Sequence, residues 1–259
     1  MSEKKKLAII GLGNMGKSIF HFIQHEFKIV VYDPFYTLEK DRIDFVGSLK
    51  EATEFTNTIL LCVKPDQITP TLTECASKPI NVLSIAAGIT IEKMQLVSHK
   101  ETKIVRLMPN LPLVIGEAAI GYYGDKSLHT LVEEIFSRMG KLVLLSNEKL
   151  MNAVTGLSGS GPAFVFSFIQ ALAEGGVKSG LPYKDALELA IQTVKGASEF
   201  LESELSHNAN THPMQLRNKV TSPGGTTIFG LEQLEKGNFH ASVMNAVYTA
   251  NLRAFELGK

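Results

Sequence analysis

A turn near the N-terminus carries three glycines at a fixed spacing. Its sequence is Gly11-Leu12-Gly13-Asn14-Met15-Gly16, and it follows a strand-like run and opens a helix-like segment. Gly11 permits a tight turn, Gly13 lets the main chain approach a pyrophosphate, and Gly16 lets the helix pack against the strand. The free N–H groups of the helix then face the anion. The alternative is a glycine-rich turn that binds no ligand.

A carboxylate stands at the end of the second strand-like run, where Asp33 follows Ile29 to Tyr32. After such a turn, an acidic residue at this place accepts hydrogen bonds from the ribose hydroxyls of NAD and repels the 2′-phosphate of NADP. Asp33 before Pro34 is also ordinary turn chemistry, which stays an alternative. The turn and Asp33 together predict an NAD(P)H site in which NADH is used at least as well as NADPH.

A second pair of glycines precedes a helix-like segment far along the chain. Ser222-Pro223-Gly224-Gly225-Thr226-Thr227 opens the segment Thr226 to Leu234. Glycines before a helix leave its first N–H groups uncovered, and such groups bind anions. Ser222 and Thr226 are equally suited to capping the helix. Capping and anion binding use the same geometry, so both hypotheses stay open.

Short apolar runs that alternate with helix-like segments position the first motif. They predict an α/β fold whose N-terminal part is a Rossmann domain with a doubly wound, mainly parallel sheet. The predicted strands are Leu7 to Ile10, Ile29 to Tyr32, Thr58 to Val63, Asn81 to Ala86, Ile104 to Leu107, Ala118 to Tyr123 and Lys141 to Leu145. The predicted helices between them include Lys17 to His25, Ile91 to Ser98 and Leu128 to Met139.

The pattern becomes all-helical from about Asn147, so we predict two domains, residues 1–147 and 148–259. The predicted helices of the second domain are Leu150 to Leu157, Ala163 to Val177, Tyr183 to Leu205 and His240 to Leu257. The Ala163 helix is apolar almost all round, which predicts burial in a subunit interface.

The overall composition favours a cytoplasmic protein. Lys plus Arg and Asp plus Glu both number 26, so there is no general field for nucleic acid or an anionic membrane. No apolar stretch reaches the roughly 18 residues of a spanning helix. Cys62 and Cys75 do not form a disulfide framework, and no signal peptide is evident. His207 and His212 fall in a predicted loop with no ligand set, so no metal is predicted.

Six segments are too specific for ordinary loops. They are Val63-Lys64-Pro65, Ser84 to Ile89, Arg106 to Asn110, Gly156 to Ala163, Gly175 to Pro182 and Val220 to Thr227. Together they resemble the pyrroline-5-carboxylate reductase family, which makes proline by reducing a cyclic imine. The resemblance runs from about Leu7 to the last helix, and Thr221 to Thr227 is its most diagnostic piece.

The resemblance implies hydride transfer from NAD(P)H to the C=N bond of 1-pyrroline-5-carboxylate, which gives L-proline. It also implies that the helical domain forms an interlocked dimer, with a decamer as the larger assembly. At the second motif the anion is then the substrate carboxylate, bound by Ser222, Gly224, Gly225 and Thr226. The Thr227 hydroxyl reaches the ring nitrogen, so Ser222 and Thr227 are the candidate catalytic residues.

The nicotinamide end of the cofactor is predicted at the carboxyl ends of the later strands, where such folds bind ligands. The candidate contacts there are Val63, Lys64, Pro65, Ala86, Ala87 and Asn110. For Lys64, a proton donor and a solvated loop lysine stay as alternatives. Leu49 replaces an Asn that many family members place at the adenosine end, which weakens the expectation of 2′-phosphate contacts.

Two other functions are alternatives to imine reduction. A β-hydroxyacid dehydrogenase would carry a catalytic lysine four residues after Gly161, where this chain has Val165. A non-catalytic module that senses the dinucleotide would have lost the substrate residues, but Ser222, Gly225 and Thr227 are present.

Overall fold

The chain folds into a seven-stranded sheet with helices along it, followed by a group of longer helices. The computed structural model describes residues 4–36 and 43–258. The elements of the first part are β1 (Lys6–Ile10), α1 (Asn14–Ile23), β2 (Lys28–Tyr32), α2 (Leu49–Phe55), β3 (Thr58–Leu61), α3 (Pro65–Glu74), β4 (Asn81–Ser84), α4 (Ile91–Leu96), β5 (Lys103–Met108), β6 (Ala118–Gly124), α5 (His129–Phe136) and β7 (Gly140–Leu144). The elements that follow are α6 (Met151–Val154), a π-helical turn (Thr155–Gly159), α7 (Gly161–Lys178), α8 (Tyr183–His207), α9 (Pro213–Lys219), α10 (Thr226–Lys236) and α11 (Phe239–Leu257).

The sheet confirms the predicted doubly wound fold. Its strand order is β2-β1-β3-β4-β5-β6-β7. Among these strands β5 and β6 pair antiparallel and all other neighbours pair parallel, so β6 and β7 run opposite to β1 to β5. Alternate side chains enter two separate cores, for example Leu7 and Ile9 on one face and Ala8 and Ile10 on the other. The strand order reverses between β1 and β3, and this is where doubly wound sheets open a crevice at their carboxyl ends.

Several elements end earlier than the sequence pattern predicts. β3 ends at Leu61 and β4 at Ser84, so Cys62 to Lys64 and Ile85 to Ala87 are loops at the carboxyl edge of the sheet. The predicted helix Leu150 to Leu157 is only α6, which continues into the π-helical turn. A glycine-rich sequence follows α6, and the wider turn satisfies the Thr155 carbonyl through the N–H of Ser160 at 2.9 Å.

Contacts divide the chain into two compact units, which differ from the two predicted domains. The first unit comprises Met1–Pro162 and Val247–Lys259, and the second comprises Ala163–Ala246. The second half of α11 therefore belongs with the sheet. The division at residues 147 and 148 describes a change of sequence pattern, and as a division of roles it stays a prediction.

The second unit has a very small core of its own. Within residues 163–246, the buried side chains are Ala173, Ala186 and Ala190. By contrast α7 exposes large apolar side chains, namely Val165, Phe166, Phe168, Leu172 and Val177. Of the helices in residues 4–36 and 43–258, none combines the length and the apolar character that a membrane span requires.

The loop predicted around His207 and His212 is present but short, since it comprises residues 208–212. His207 is the last residue of α8, and His212 caps α9 by accepting a hydrogen bond from the Met214 N–H on its Nδ1 at 3.2 Å. Gln215 completes the cap, since its Oε1 accepts the His212 N–H at 3.1 Å. The Pro213 that follows the cap is favourable at the first position of a helix.

Candidate active site

The turn between β1 and α1 has no room for side chains at two of its three glycines. Gly11 has a φ of 95°, and a Cβ atom there would lie 2.9 Å from the carbonyl carbon of Cys62. A Cβ atom at Gly16 would lie 2.2 Å from the carbonyl oxygen of Gly11. The turn therefore passes directly beside the end of β3, and α1 starts against it, as the glycine spacing predicts.

The third glycine leaves the turn open to an outside group. A Cβ atom at Gly13 would have no heavy atom within 4 Å. In the described part of the chain, no side chain caps the N-terminus of α1, and its first turn carries no acidic residue. Open N–H groups at the positive end of a helix suit a pyrophosphate, so the residues present fit a dinucleotide. Asn14 and Met15 lie in this first turn, and Leu12 is buried before it.

The Asp33 carboxylate is held beside this turn, at the end of β2. Its Oδ2 accepts a hydrogen bond from the Leu12 N–H at 2.7 Å, and its Oδ1 accepts one from the Phe35 N–H at 2.9 Å. An ionised carboxylate has about four acceptor positions, so both oxygens keep capacity for the hydroxyl groups of a ribose.

A cavity of about 600 Å³ lies over the carboxyl ends of β1, β2 and β3. It brings together five of the predicted cofactor residues, Gly11, Gly13, Asp33, Val63 and Lys64. This volume is typical of a pocket for a small molecule or a cofactor. Leu12, Asn14, Met15, Gly16, Pro65, Ala86, Ala87 and Asn110 do not line it.

One wall of the cavity was missed by the sequence analysis. It is formed by α3, through Gln67, Pro70, Thr71 and Glu74. The available signal was Pro65, since proline is favoured at the first position of a helix. Cys62 also lines the cavity, and burial raises the pKa of its thiol well above the ordinary value, so the thiol is a neutral wall.

The remaining cofactor candidates lie along the same edge of the sheet. Lys64 is exposed and precedes α3, and Pro65 begins that helix. Ala86 is buried and Ala87 half-buried in the loop after β4. Asn110 is buried after β5, and both polar atoms of its side chain are bonded within the protein.

The predicted substrate residues surround the start of α10 in the second unit. Gly225 precedes the helix, and within the described residues no side chain caps it. Gly224 has a φ of 67°, a conformation that favours glycine. A Cβ atom at Gly225 would lie 2.3 Å from the Oγ of Ser222, so this hydroxyl lies against the main chain just before the helix.

This geometry bears on the two hypotheses for the motif, which are helix capping and anion binding. Ser222 and Thr226 are exposed and Thr227 is half-buried. The Ser222 carbonyl accepts the Gly225 N–H at 3.1 Å, but neither hydroxyl makes the capping hydrogen bond. With no acidic residue in its first turn, α10 presents uncapped N–H groups that suit a carboxylate. In residues 4–36 and 43–258, no group of His, Cys, Asp and Glu could hold a metal ion.

A doubly wound sheet with an open glycine turn and an acidic residue at the end of its second strand is typical of dinucleotide-binding proteins. Two family models match the chain. The pyrroline-5-carboxylate reductase dimerisation model matches residues 148–257, and a model described as NADP oxidoreductase, coenzyme F420-dependent, matches residues 6–88.

Relatives match over nearly the whole chain. The pyrroline-5-carboxylate reductase of Arabidopsis thaliana is 36% identical, covering 100% of this chain and 97% of the relative. That of Synechocystis sp. is 37% identical, covering 98% of both. The NADP-bound pyrroline carboxylate reductase of Plasmodium falciparum has a TM-score of 0.83 at 32% identity, covering 98% of each chain. The chain belongs to the pyrroline-5-carboxylate reductase family, and it is an NAD(P)H-dependent reductase that associates with itself.

Proposed function

We propose that the chain reduces 1-pyrroline-5-carboxylate to L-proline, with the substrate carboxylate bound at the start of α10. The N–H group of Thr226 and the hydroxyl of Ser222 bind the carboxylate. Gly225, whose own N–H donates to the Ser222 carbonyl, leaves room for it beside the main chain, and Gly224 supplies the turn. The observation that carries this proposal is the uncapped helix start with the Ser222 Oγ beside Gly225.

The Thr227 hydroxyl orients the ring nitrogen of the substrate. A cyclic imine protonates in water and arrives as an iminium, so the site needs no strong acid. When bound, the nicotinamide supplies a hydride to the imine carbon, and the C=N electron pair moves to the nitrogen. The work of Ser222 and Thr227 is therefore to fix the geometry of the acceptor.

The first unit binds the cofactor. Residues Gly11 to Gly16 bind the pyrophosphate, and Asp33 binds the adenosine ribose. The nicotinamide and its ribose lie along the loops that contain Val63, Lys64, Pro65, Ala86, Ala87 and Asn110. This assignment keeps the sequence division of roles, with cofactor binding in residues 1–147 and substrate binding and dimerisation in residues 148–259.

The helix start can be tested by removing one main-chain N–H group. Thr226 is the first residue of α10, a position where proline is tolerated because its missing N–H has no helical partner. Thr226→Pro should raise the KM for pyrroline-5-carboxylate by roughly tenfold or more and leave the KM for NADH unchanged. Thr226→Ala keeps the N–H and serves as the control. An unchanged substrate KM in Thr226→Pro would refute the carboxylate assignment.

NADH should be used at least as well as NADPH. An ionised Asp33 and a 2′-phosphate a few ångströms apart repel by about 1–4 kcal/mol at an effective dielectric near 20. That free energy corresponds to roughly one to three decades in affinity. A basic side chain near the phosphate would offset this repulsion. The ammonium of Lys17 lies over the Tyr36 ring, 4.6 Å from the ring centroid. The basic residues that follow Asp33 in the sequence, Lys40 and Arg42, lie outside the described residues.

The cofactor preference is measured by oxidation of NADH and NADPH in parallel. Asp33→Ser should raise kcat/KM for NADPH more than for NADH. Asp66→Ser, which removes a carboxylate from another wall of the same cavity, should leave the ratio within about twofold. A wild-type preference for NADPH of tenfold or more would show that Asp33 does not face the ribose.

Association beyond the dimer and the cellular location are further proposals. The exposed apolar side chains of α7 support at least a dimer, and a decamer is the larger assembly that we propose. Light scattering at micromolar concentration would distinguish them, and a monomeric mass would contradict both. A cytoplasmic location without nucleic-acid or membrane partners rests on the neutral net charge of the sequence.

A further inference from the structure

The side chain of Asn110 joins two segments that are distant in sequence. Its Nδ2 donates a hydrogen bond to the carbonyl oxygen of Ser158 at 3.0 Å, and its Oδ1 accepts one from the N–H of Ala119 at 3.0 Å. Residue 110 is 9% exposed, so little of its side chain meets water. We call this arrangement of Asn110, Ala119 and Ser158 the Asn110 bridge.

The Ala119 side of the bridge extends the sheet past a proline. β5 and β6 pair in antiparallel register as far as Met108 and Gly121. The same register would place Pro109 opposite Ile120 and Asn110 opposite Ala119. Pro109 has no N–H, so it cannot continue the ladder. Beyond this point the Oδ1 of Asn110 accepts the Ala119 N–H in place of a main-chain carbonyl, which fixes the main chain two residues past the end of β5.

The Ser158 side of the bridge satisfies a carbonyl that a second proline deprives of its α-helical donor. In a regular helix the Ser158 carbonyl would accept the N–H of residue 162. Residue 162 is proline, which has no N–H. The Asn110 amide supplies a donor instead, so the bridge depends on Pro162 as well as on Asn110.

The π-helical turn is held tightly by its other neighbours. A Cβ atom at Gly156 would lie 2.7 Å from the Val247 carbonyl oxygen, and one at Gly159 would lie 3.0 Å from Cε of Met108. The turn therefore packs against both the main chain of α11 and the end of β5. All of these residues belong to the first compact unit.

We propose that Asn110 is a positioning residue for hydride transfer, acting through the bridge and not through its own contact with the cofactor. This inference rests on the proposed function, which places the nicotinamide at the carboxyl ends of β3 to β5. The bridge holds the main chain after β5 at that edge, and Ser158 and Ala119 hold Asn110. Loss of the bridge then shifts the cofactor ring relative to the acceptor without affecting the adenosine half of the site.

The test is a double-mutant cycle with Asn110→Ala and Pro162→Ala. Asn110→Ala should lower kcat about 10- to 100-fold, the usual effect of a misplacement of about 1 Å at a reacting centre. Its affinity for ADP-ribose, which lacks nicotinamide, should stay within about twofold of wild type. The isotope effect on kcat with NADH deuterated at the transferred position should increase, because hydride transfer becomes slower than product release.

Pro162→Ala restores an N–H that can reach the Ser158 carbonyl. The loss of kcat caused by Asn110→Ala should therefore be at least about threefold smaller in the Pro162→Ala background. Asn110→Asp keeps the acceptor for Ala119 and removes the donor, and it replaces Asn110→Ala in the cycle if that variant does not fold. A wild-type enzyme without reductase activity would refute the proposed function instead.

Three results would overturn the positioning role in an active wild-type enzyme. The first is an unchanged kcat in Asn110→Ala. The second is an equal loss of kcat in both backgrounds, since the bridge requires coupling between the two sites. The third is a parallel loss of ADP-ribose affinity, which would indicate general disruption of the unit.

Discussion

Two glycines of the same turn should respond in opposite ways to the addition of one methyl group. At Gly13 a Cβ atom would enter open space, whereas at Gly16 it would lie 2.2 Å from the carbonyl oxygen of Gly11. Gly13→Ala is therefore expected to preserve the fold and to weaken cofactor binding. Gly16→Ala is expected to destabilise the fold itself, because α1 must move away from the turn.

The magnitudes follow from these distances. At Gly13 the backbone is extended, with φ −65° and ψ −174°, which alanine adopts without strain. Alanine costs up to about 1 kcal/mol relative to glycine at this cap position, and the loss of unfolded-chain entropy offsets about 0.4–1 kcal/mol. The net change in unfolding free energy is close to zero. At Gly16 the overlap costs about 1–3 kcal/mol or more, as overpacking of a close contact does.

For Gly13→Ala, the methyl group occupies the space where the pyrophosphate approaches the main chain. We expect the Kd for NADH to rise about 10- to 100-fold, which is about 1.4–2.7 kcal/mol. Titration with NADH measures the affinity, and thermal unfolding of the two variants measures the stability. If Gly13→Ala binds NADH as wild type does, the pyrophosphate does not lie at this turn. If Gly16→Ala unfolds at the wild-type temperature, the close approach of α1 to the turn is wrong.

Three further predictions concern single side chains. Glu148→Ala should lower the free energy of unfolding by about 3 kcal/mol, because it leaves the buried Arg106 guanidinium without its 2.7 Å partner; urea unfolding checks this, and Glu148→Gln should cost clearly less. The Ser127 hydrogen bonds hold the pKa of Asp125 below its usual value, so the stability that Asp125 gives relative to Asp125→Asn should persist at neutral pH and shrink as pH falls below about 4. Thr227→Ala should lower kcat/KM by about one to three decades with little change in the KM for NADH, and an unchanged rate would limit Thr227 to the helix start.

The sheet was predictable because its signals are local. A parallel strand that is buried on both faces needs a run of apolar residues, and Ile59 to Leu61 in β3 are fully buried as their sequence indicates. The role of Gly16 was equally local, since the spacing of the glycines encodes the contact between helix and turn. The position of Asp33 beside Leu12 followed from the length of one strand-helix-strand unit.

The features that sequence reasoning missed depend on contacts between distant residues. Asn110 is predicted as a cofactor contact, which stays a prediction, but the bond of its side chain to Ser158, 48 residues further on, was not predicted. No periodicity reports such a bond, and the clue was two prolines, Pro109 and Pro162, each of which removes a donor. The short helix α9 was hidden for another reason, since a Ser- and Asn-rich stretch before Pro213 is typical of loops and of helix caps alike.

The composition of the second unit explains why its stability depends on self-association. Within residues 163–246 three alanines are the buried side chains, while Phe166 and Phe229 are 57% and 63% exposed. So small a core buries too little apolar surface to offset the conformational entropy that the unit loses when it becomes ordered. The missing apolar burial must come from contacts outside this unit, and the match to a dimerisation family over residues 148–257 identifies a second copy as the partner. The start of α10, where the substrate carboxylate is proposed to bind, therefore lies on a unit that reaches its full stability in the assembled protein.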